Sequence, residues 1–246
     1  MKHKRLLVLV LIFSFVSISA LFIYKATYKE EFNYVALGDS LASGRNPYGV
    51  DDYGYTDYIK DYLISNEKYN SYLNYAVAGY ETTDLIKDIN LNITTSQNNN
   101  NVGIKRALRE ADLVTVSIGA NDFLSQINIT NVNNQQLINE KIDEIMLRVK
   151  DTLVLIKKYA KKDIVVVGYY NPIPNLTTYQ DIINQTVQYS DNRYETLCNE
   201  LEITYVKISD LFINNNSFLP NPNDIHPNKQ GYDAISKRII SVLETK

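Results

Sequence analysis

Ser40, Asp224 and His226 are the residues of this chain whose types could do chemistry together. A serine hydroxyl is a weak nucleophile at neutral pH. It becomes reactive when a base lies within hydrogen-bond reach and a third group fixes the tautomer of that base. The chain holds two histidines, His3 and His226. His3 sits in the basic amino-terminal cluster, ahead of a long apolar run, so imidazole chemistry in a folded domain must use His226. Asp224 stands two residues earlier and could bond the other ring nitrogen. An oxyanion developing on an attacked carbonyl needs donors already in place. The backbone amides of Ser40 and Gly79 and the side-chain amide of Asn121 could supply them. Together these groups would perform acyl transfer by way of Ser40.

Each residue also has a plainer reading. Ser40 could cap a helix. Gly79 could be a turn glycine, Asn121 an Asx-turn residue, and His226, before Pro227, a surface loop histidine. Asp39 and Asp122 are expected to bond local backbone amides rather than to do chemistry. What favours chemistry is that these residues follow one another at the exits of regular elements.

Those elements can be read from the apolar pattern. Phe32 to Leu37 is an apolar run that ends at Gly38, as a central strand leaving a parallel sheet does. Further strands are expected at Tyr72 to Ala76, Leu113 to Ile118, Asp163 to Gly168 and Thr204 to Ile208. Helices are expected over Thr56 to Ile64, from a cap at Thr82 or Thr83 through Ile89, over Ile104 to Leu108, Leu137 to Tyr159 and Tyr179 to Leu201, and after Asn228. Asp39 to Gly54, Asn90 to Asn101 and Asn214 to Asn223 read as loops. Strands alternate with helices, with connections long enough for crossovers. The pattern predicts an α/β fold with a five-stranded parallel sheet and helices on both faces. In such a sheet the strand exits share one edge, where ligands bind. Ser40, Gly79 and Asn121 follow three of the strands, and His226 precedes the last helix.

The amino terminus has another character. Met1 to Arg5 is basic, and Leu6 to Tyr24 carries no charge, a length that can just span a hydrocarbon core. Residues 1–24 are expected to be an uncleaved signal anchor, with a cleaved signal peptide as the alternative, and residues 25–31 a linker to one domain over 32–246. The basic cluster before the span places the domain outside the membrane, or secretes it if the segment is cleaved. The formal charge of the whole chain is −3, and the part beyond residue 24 loses three cations, so nucleic acid is not an expected partner. Lys157, Lys158, Lys161 and Lys162 read as a solvated helix end. The one cysteine, Cys198, reads as a core residue, and sites built from several Cys and His ligands are excluded. No metal or cofactor is expected.

At these residues the chain resembles the SGNH hydrolases, also called the GDSL esterase/lipase family. Gly38-Asp-Ser-Leu41 is similar to the block that carries the nucleophile. Gly79 matches the glycine block, Gly119-Ala-Asn-Asp122 the asparagine block, and His226-Pro227 the histidine block. The resemblance implies a flavodoxin-like three-layer fold and ester hydrolysis without a metal. It implies that Ser40 and His226 are catalytic and that Gly79 and Asn121 complete the oxyanion hole. In that family the acid usually stands three residues before the histidine. Here that place is Asn223, and Asp224 is the expected acid, with Asn223 or a backbone carbonyl as alternatives.

Three functions follow as expectations. The first is a surface-anchored serine esterase acting on acyl lipids or other small carboxylic esters. The second is a deacetylase of cell-wall or other polysaccharide, in which Tyr48, Tyr53, Tyr55 and Tyr80 would stack on sugar rings. The third is a flavodoxin-like module that only binds a phosphate-bearing ligand, for which Gly38-Asp39-Ser40 is a short and acidic cradle.

Overall fold

The computed structural model describes residues 32–66, 68–95, 101–126, 134–213 and 215–245. The expected anchor or signal, the linker, and Asn98 to Asn100 of the asparagine run lie outside the described residues. Among the described residues no helix is long and apolar enough to cross a membrane.

Strands β1 (Phe32–Gly38), β2 (Tyr69–Asn74), β3 (Leu113–Ser117), β4 (Asp163–Val167) and β5 (Thr204–Val206) form one parallel sheet in the order β2-β1-β3-β4-β5. That is the flavodoxin-like order, and its switch point lies between β1 and β3. The helices are α1 (Ser40–Ser43), α2 (Tyr55–Ser65), α3 (Thr82–Leu91), α4 (Ile104–Glu110), α5 (Ala120–Leu124), α6 (Gln135–Tyr159), α7 (Gln180–Glu200), α8 (Ser209–Phe212) and α9 (Lys229–Glu244).

The period of two along each strand sends alternate side chains into two cores. Val35, Leu37, Val114, Val116, Ile164 and Val166 face one core, with the apolar stripes of α3, α4, α6 and α7. Tyr34, Ala36, Leu113, Val165 and Val167 face the other, with α2, α8 and α9. A fully buried side chain such as Leu37 or Val116 contributes about 1.5–3 kcal/mol by leaving water. A buried polar pair ties neighbouring strands: the Tyr34 hydroxyl and Thr115 Oγ1 lie 2.7 Å apart.

Several boundaries differ from the sequence expectation, each for a local reason. Strand β2 starts at Tyr69 and stops at Asn74, because pairing with β1 reaches back to Phe32 and an edge strand tolerates Asn70 and Ser71. Helix α6 begins at Gln135, since the Asn134 side chain accepts from the Leu137 amide. Glu81, not a threonine, caps α3. The stretch expected as loop after Asp39 opens with a helical turn, and Asp39 rather than Ser40 is its cap. Thr94–Thr95, inside the expected Asn90 to Asn101 loop, pairs antiparallel with Val102–Gly103 just after it. Strand β5 ends at Val206, two residues before the expected end at Ile208, and α8 starts directly after that, at Ser209. Cys198 is buried in the first core, and burial pushes its thiol up to about 12.

Candidate active site

The end of β1 is held from both sides. The Asp39 amide donates to the Ser117 carbonyl on β3 at 2.9 Å, and the Val77 amide donates to the Gly38 carbonyl at 3.0 Å. Gly38 has φ +125°, and a Cβ there would lie 1.9 Å from the Ser117 oxygen. Only glycine fits, for both conformation and space. The chain then turns into α1, with Ser40 as its first residue.

Asp39 supports that turn. Its Oδ1 accepts from the Leu41 amide at 3.0 Å and from the Ser117 hydroxyl at 3.0 Å. Its Oδ2 accepts from the Tyr169 hydroxyl at 2.6 Å. Burial pushes the Asp39 carboxyl up to about 6, against these hydrogen bonds and the charge of His226, which favour the carboxylate. Asp39 therefore holds a proton more tightly in the folded chain than in the unfolded one, where the value is 3.8. Its protonated form supports folding below about pH 4, and that support is lost as pH rises through 6, a penalty of about 3 kcal/mol when complete. Asp39→Asn removes the titration. Urea denaturation at about pH 4 and pH 7 should show the parent losing about 2–3 kcal/mol more than the variant. Equal losses would contradict the assignment.

His226 reaches Ser40 from the loop before α9. Its Nε2 lies 2.8 Å from Ser40 Oγ, and its Nδ1 lies 2.7 Å from Asp224 Oδ1. The same Asp224 oxygen accepts from the His226 amide at 2.8 Å, so the carboxylate holds both ring and backbone. With Nδ1 donating to Asp224, the Nε2 lone pair faces the serine hydroxyl. The loop is fastened at several points. The Tyr170 hydroxyl donates to the Ile225 carbonyl at 2.7 Å. Asn221 Nδ2 donates to the Pro47 carbonyl at 2.7 Å, and Asn228 Nδ2 to that of Ser217 at 2.7 Å. The Asn228 side chain also caps α9. Asn223 is exposed, and its amide donates to Asn221 Oδ1. The nitrogen of the ring that faces away from Ser40 thus meets Asp224.

Gly79 and Asn121 follow the two strands that flank β1, and Asn121 reaches the residue after Gly79. Asn121 Nδ2 donates to the Tyr80 carbonyl at 2.9 Å. Gly79 adopts φ +89°, and a Cβ on it would meet nothing within 4 Å. Its glycine is required by the turn, and it borders open space. The buried Asp122 fastens the same junction, accepting from the Thr82 amide at 2.9 Å, from Thr82 Oγ1 at 2.6 Å and from Arg148 Nε at 3.3 Å. This is a long-range tie rather than a bond to local backbone.

The structure thus brings Ser40, His226 and Asp224 into one hydrogen-bonded line, with Asn121 on the same cavity. Tyr169, Tyr170, Ser117 and Thr82 also position the site; sequence reasoning assigned the first three no role and Thr82 only that of a candidate helix cap. Of the tyrosines expected to stack on sugars, Tyr55 is fully buried in the second core. The Tyr53 hydroxyl is bonded to Asp61 and that of Tyr80 to Asp88, while Tyr48 is exposed. Among the described residues no three His, Cys, Asp or Glu side chains are grouped to hold a metal ion.

A cavity of about 490 Å³ opens from Ser40 and His226 and runs between α6 and α7. A parallel sheet with a Ser-His-Asp line at its carboxyl edge is an arrangement suited to acyl transfer. The GDSL-like Lipase/Acylhydrolase family profile matches residues 36–234, and the chain belongs to this family of ester hydrolases. The matched region contains Ser40, Gly79, Asn121, Asp224 and His226.

The uncharacterized protein YpmR of Bacillus subtilis (strain 168) is 25% identical over 226 residues, covering 88% of this chain and 83% of that protein. Among solved structures, the lipase Lip_vut3 from a goat rumen metagenome matches with a TM-score of 0.64 at 20% identity, over 85% of this chain and 96% of that one. A catalytic mutant of Axe2, an acetylxylan esterase from Geobacillus stearothermophilus, matches with a TM-score of 0.59 at 16% identity, over 86% and 93%. An extracellular lipase from Streptomyces rimosus matches with a TM-score of 0.60 at 18% identity, over 87% and 99%. At these identities the likeness to the solved structures is one of fold.

Proposed function

We propose that the protein hydrolyses carboxylic esters through an acyl-enzyme on Ser40, using no metal. The observation that carries this reading is the pair of contacts at His226, 2.8 Å to Ser40 Oγ and 2.7 Å to Asp224 Oδ1. Ser40 Oγ attacks the ester carbonyl carbon as its proton passes to His226 Nε2. Asp224 keeps the Nδ1 proton in place and stabilises the imidazolium that forms. The carbonyl oxygen gains the negative charge and is held by the amides of Ser40 and Gly79 and by Asn121 Nδ2. Collapse breaks the bond to the alkoxy group, which leaves as alcohol with the proton from His226. Water, deprotonated by His226, then attacks the acyl-Ser40 carbonyl, and the acid departs as Ser40 regains its proton.

An acyl-enzyme predicts biphasic kinetics whenever deacylation is the slower step. With an activated p-nitrophenyl ester, the acyl group should be trapped on Ser40 by acid quench and located by peptide mass spectrometry. Ester turnover with the acyl group never found on Ser40 would contradict the proposal.

The uncharged run from Leu6 to Tyr24 behind Met1-Lys-His-Lys-Arg5 extends the proposal to location: a membrane-anchored enzyme with its domain outside the cell. Protease added to intact cells should remove the domain; complete protection would contradict this placement.

A further inference from the structure

We infer that the cavity between α6 and α7 takes the acyl chain of the ester, so that this enzyme prefers aliphatic acyl groups of medium length over acetyl. The inference rests on Ser40 being the nucleophile. Ser40 and His226 form part of the cavity wall, so an acyl group bonded to Ser40 Oγ has direct access to it. Beyond them the wall is apolar. Helix α6 supplies Ile138, Ile142 and Met146, and α7 supplies Ile183 and Val187.

Thr186, Tyr194 and Asp191, polar side chains along the wall, are occupied by protein partners. Thr186 Oγ1 donates to the Ile182 carbonyl at 2.7 Å, and the Tyr194 hydroxyl to the Ile118 carbonyl at 2.6 Å. Asp191 accepts from the Tyr205 hydroxyl at 2.5 Å and from Ser209 Oγ at 2.6 Å. A sugar ring here would have to give up water around its hydroxyls against a mostly apolar wall in which Thr186, Tyr194 and Asp191 are already paired, which is costly. A hydrocarbon chain loses nothing on entry.

The dimensions agree. From Ile138 to Met146 the cavity follows α6 for about 12 Å, at 1.5 Å per residue. An extended chain advances about 1.2 Å per bond, so this length takes an acyl group of roughly eight to ten carbons. An acetyl group would leave nearly all of that apolar wall against water. Each methylene that leaves water for the wall should raise kcat/KM about four-fold until the cavity is filled.

The test is kcat/KM of the full chain on p-nitrophenyl esters from acetate to hexadecanoate. It is paired with Thr186→Trp and Ile183→Trp, which fill the cavity away from Ser40, and with Met146→Ala, which lengthens it. The parent should peak near octanoate to decanoate, at least a hundred-fold above acetate. Each Trp variant should lose at least ten-fold on decanoate while staying within about three-fold on acetate, and Met146→Ala should move the peak to longer chains. If the Trp variants do not fold, as read by circular dichroism, the parent profile and Met146→Ala decide alone. A parent that prefers acetate would overturn the inference while leaving Ser40 as nucleophile. So would an unchanged chain-length profile in every folded variant. Failure to turn over any ester, with no acyl group trapped on Ser40, would overturn the reading on which it rests.

Discussion

Ser40→Ala and His226→Gln should each lower kcat on an activated ester by roughly 10⁵- to 10⁶-fold, and the double variant should be no slower than either single one. The expectation follows from how the two groups act. Ser40 Oγ is nucleophilic only as its proton leaves for His226 Nε2, 2.8 Å away. Without the imidazole the hydroxyl stays protonated, and without the hydroxyl the imidazole has no bond to make. Residual rate would come from the oxyanion donors proposed at Gly79 and Asn121, which would still act on an oxyanion formed by water. Folding should be untouched, since both side chains are partly open to the cavity. Steady-state rates on the purified variants, with circular dichroism alongside, read this directly. Multiplying losses in the double variant would show that the two groups act independently.

The second large effect is expected at Asp224. Asp224→Ala should cost about 10⁴-fold in kcat, as loss of the orienting acid does where a carboxylate fixes a catalytic imidazole. One oxygen, Oδ1, accepts from both the ring and the amide of His226. Its loss frees the ring to turn and removes the charge that stabilises the imidazolium. Asn223→Ala should stay within about three-fold of the parent, because its side chain is exposed and surface changes have small effects. A loss at Asn223 matching that at Asp224 would mean that the loop as a whole, rather than the carboxylate, orients the ring.

Much of the sheet was legible because its strands are short apolar runs that end in glycine or polar residues. Leu37-Gly38 and Ile118-Gly119 announce where β1 and β3 leave the sheet. His226 was legible by elimination, with one imidazole available to the domain. The supporting residues were not, because their roles come from partners distant in sequence. Asp39 meets Tyr169, 130 residues away, and Asp122 meets Thr82, 40 residues away. No local spacing encodes either tie.

The cavity was hidden for another reason. Ile138, Ile142 and Ile145 recur as a core stripe should, and the wall of an apolar cavity has the same period as a packed core. Only the separation of α6 from α7 tells them apart. The tyrosines misled through composition: Tyr55 lies in the core, and the hydroxyls of Tyr53 and Tyr80 are bonded to acids on the helices that follow them.

The most direct test of an activated serine is covalent labelling of the full chain with a fluorophosphonate probe, beside Ser40→Ala and His226→Gln. The probe needs an activated hydroxyl and an oxyanion site, and no knowledge of the natural ester. The expected result is stoichiometric labelling of the parent on Ser40, none of Ser40→Ala, and labelling of His226→Gln slowed at least a thousand-fold. A folded parent that stays unlabelled, or one that labels equally well without Ser40, would contradict the catalytic line from Asp224 through His226 to Ser40.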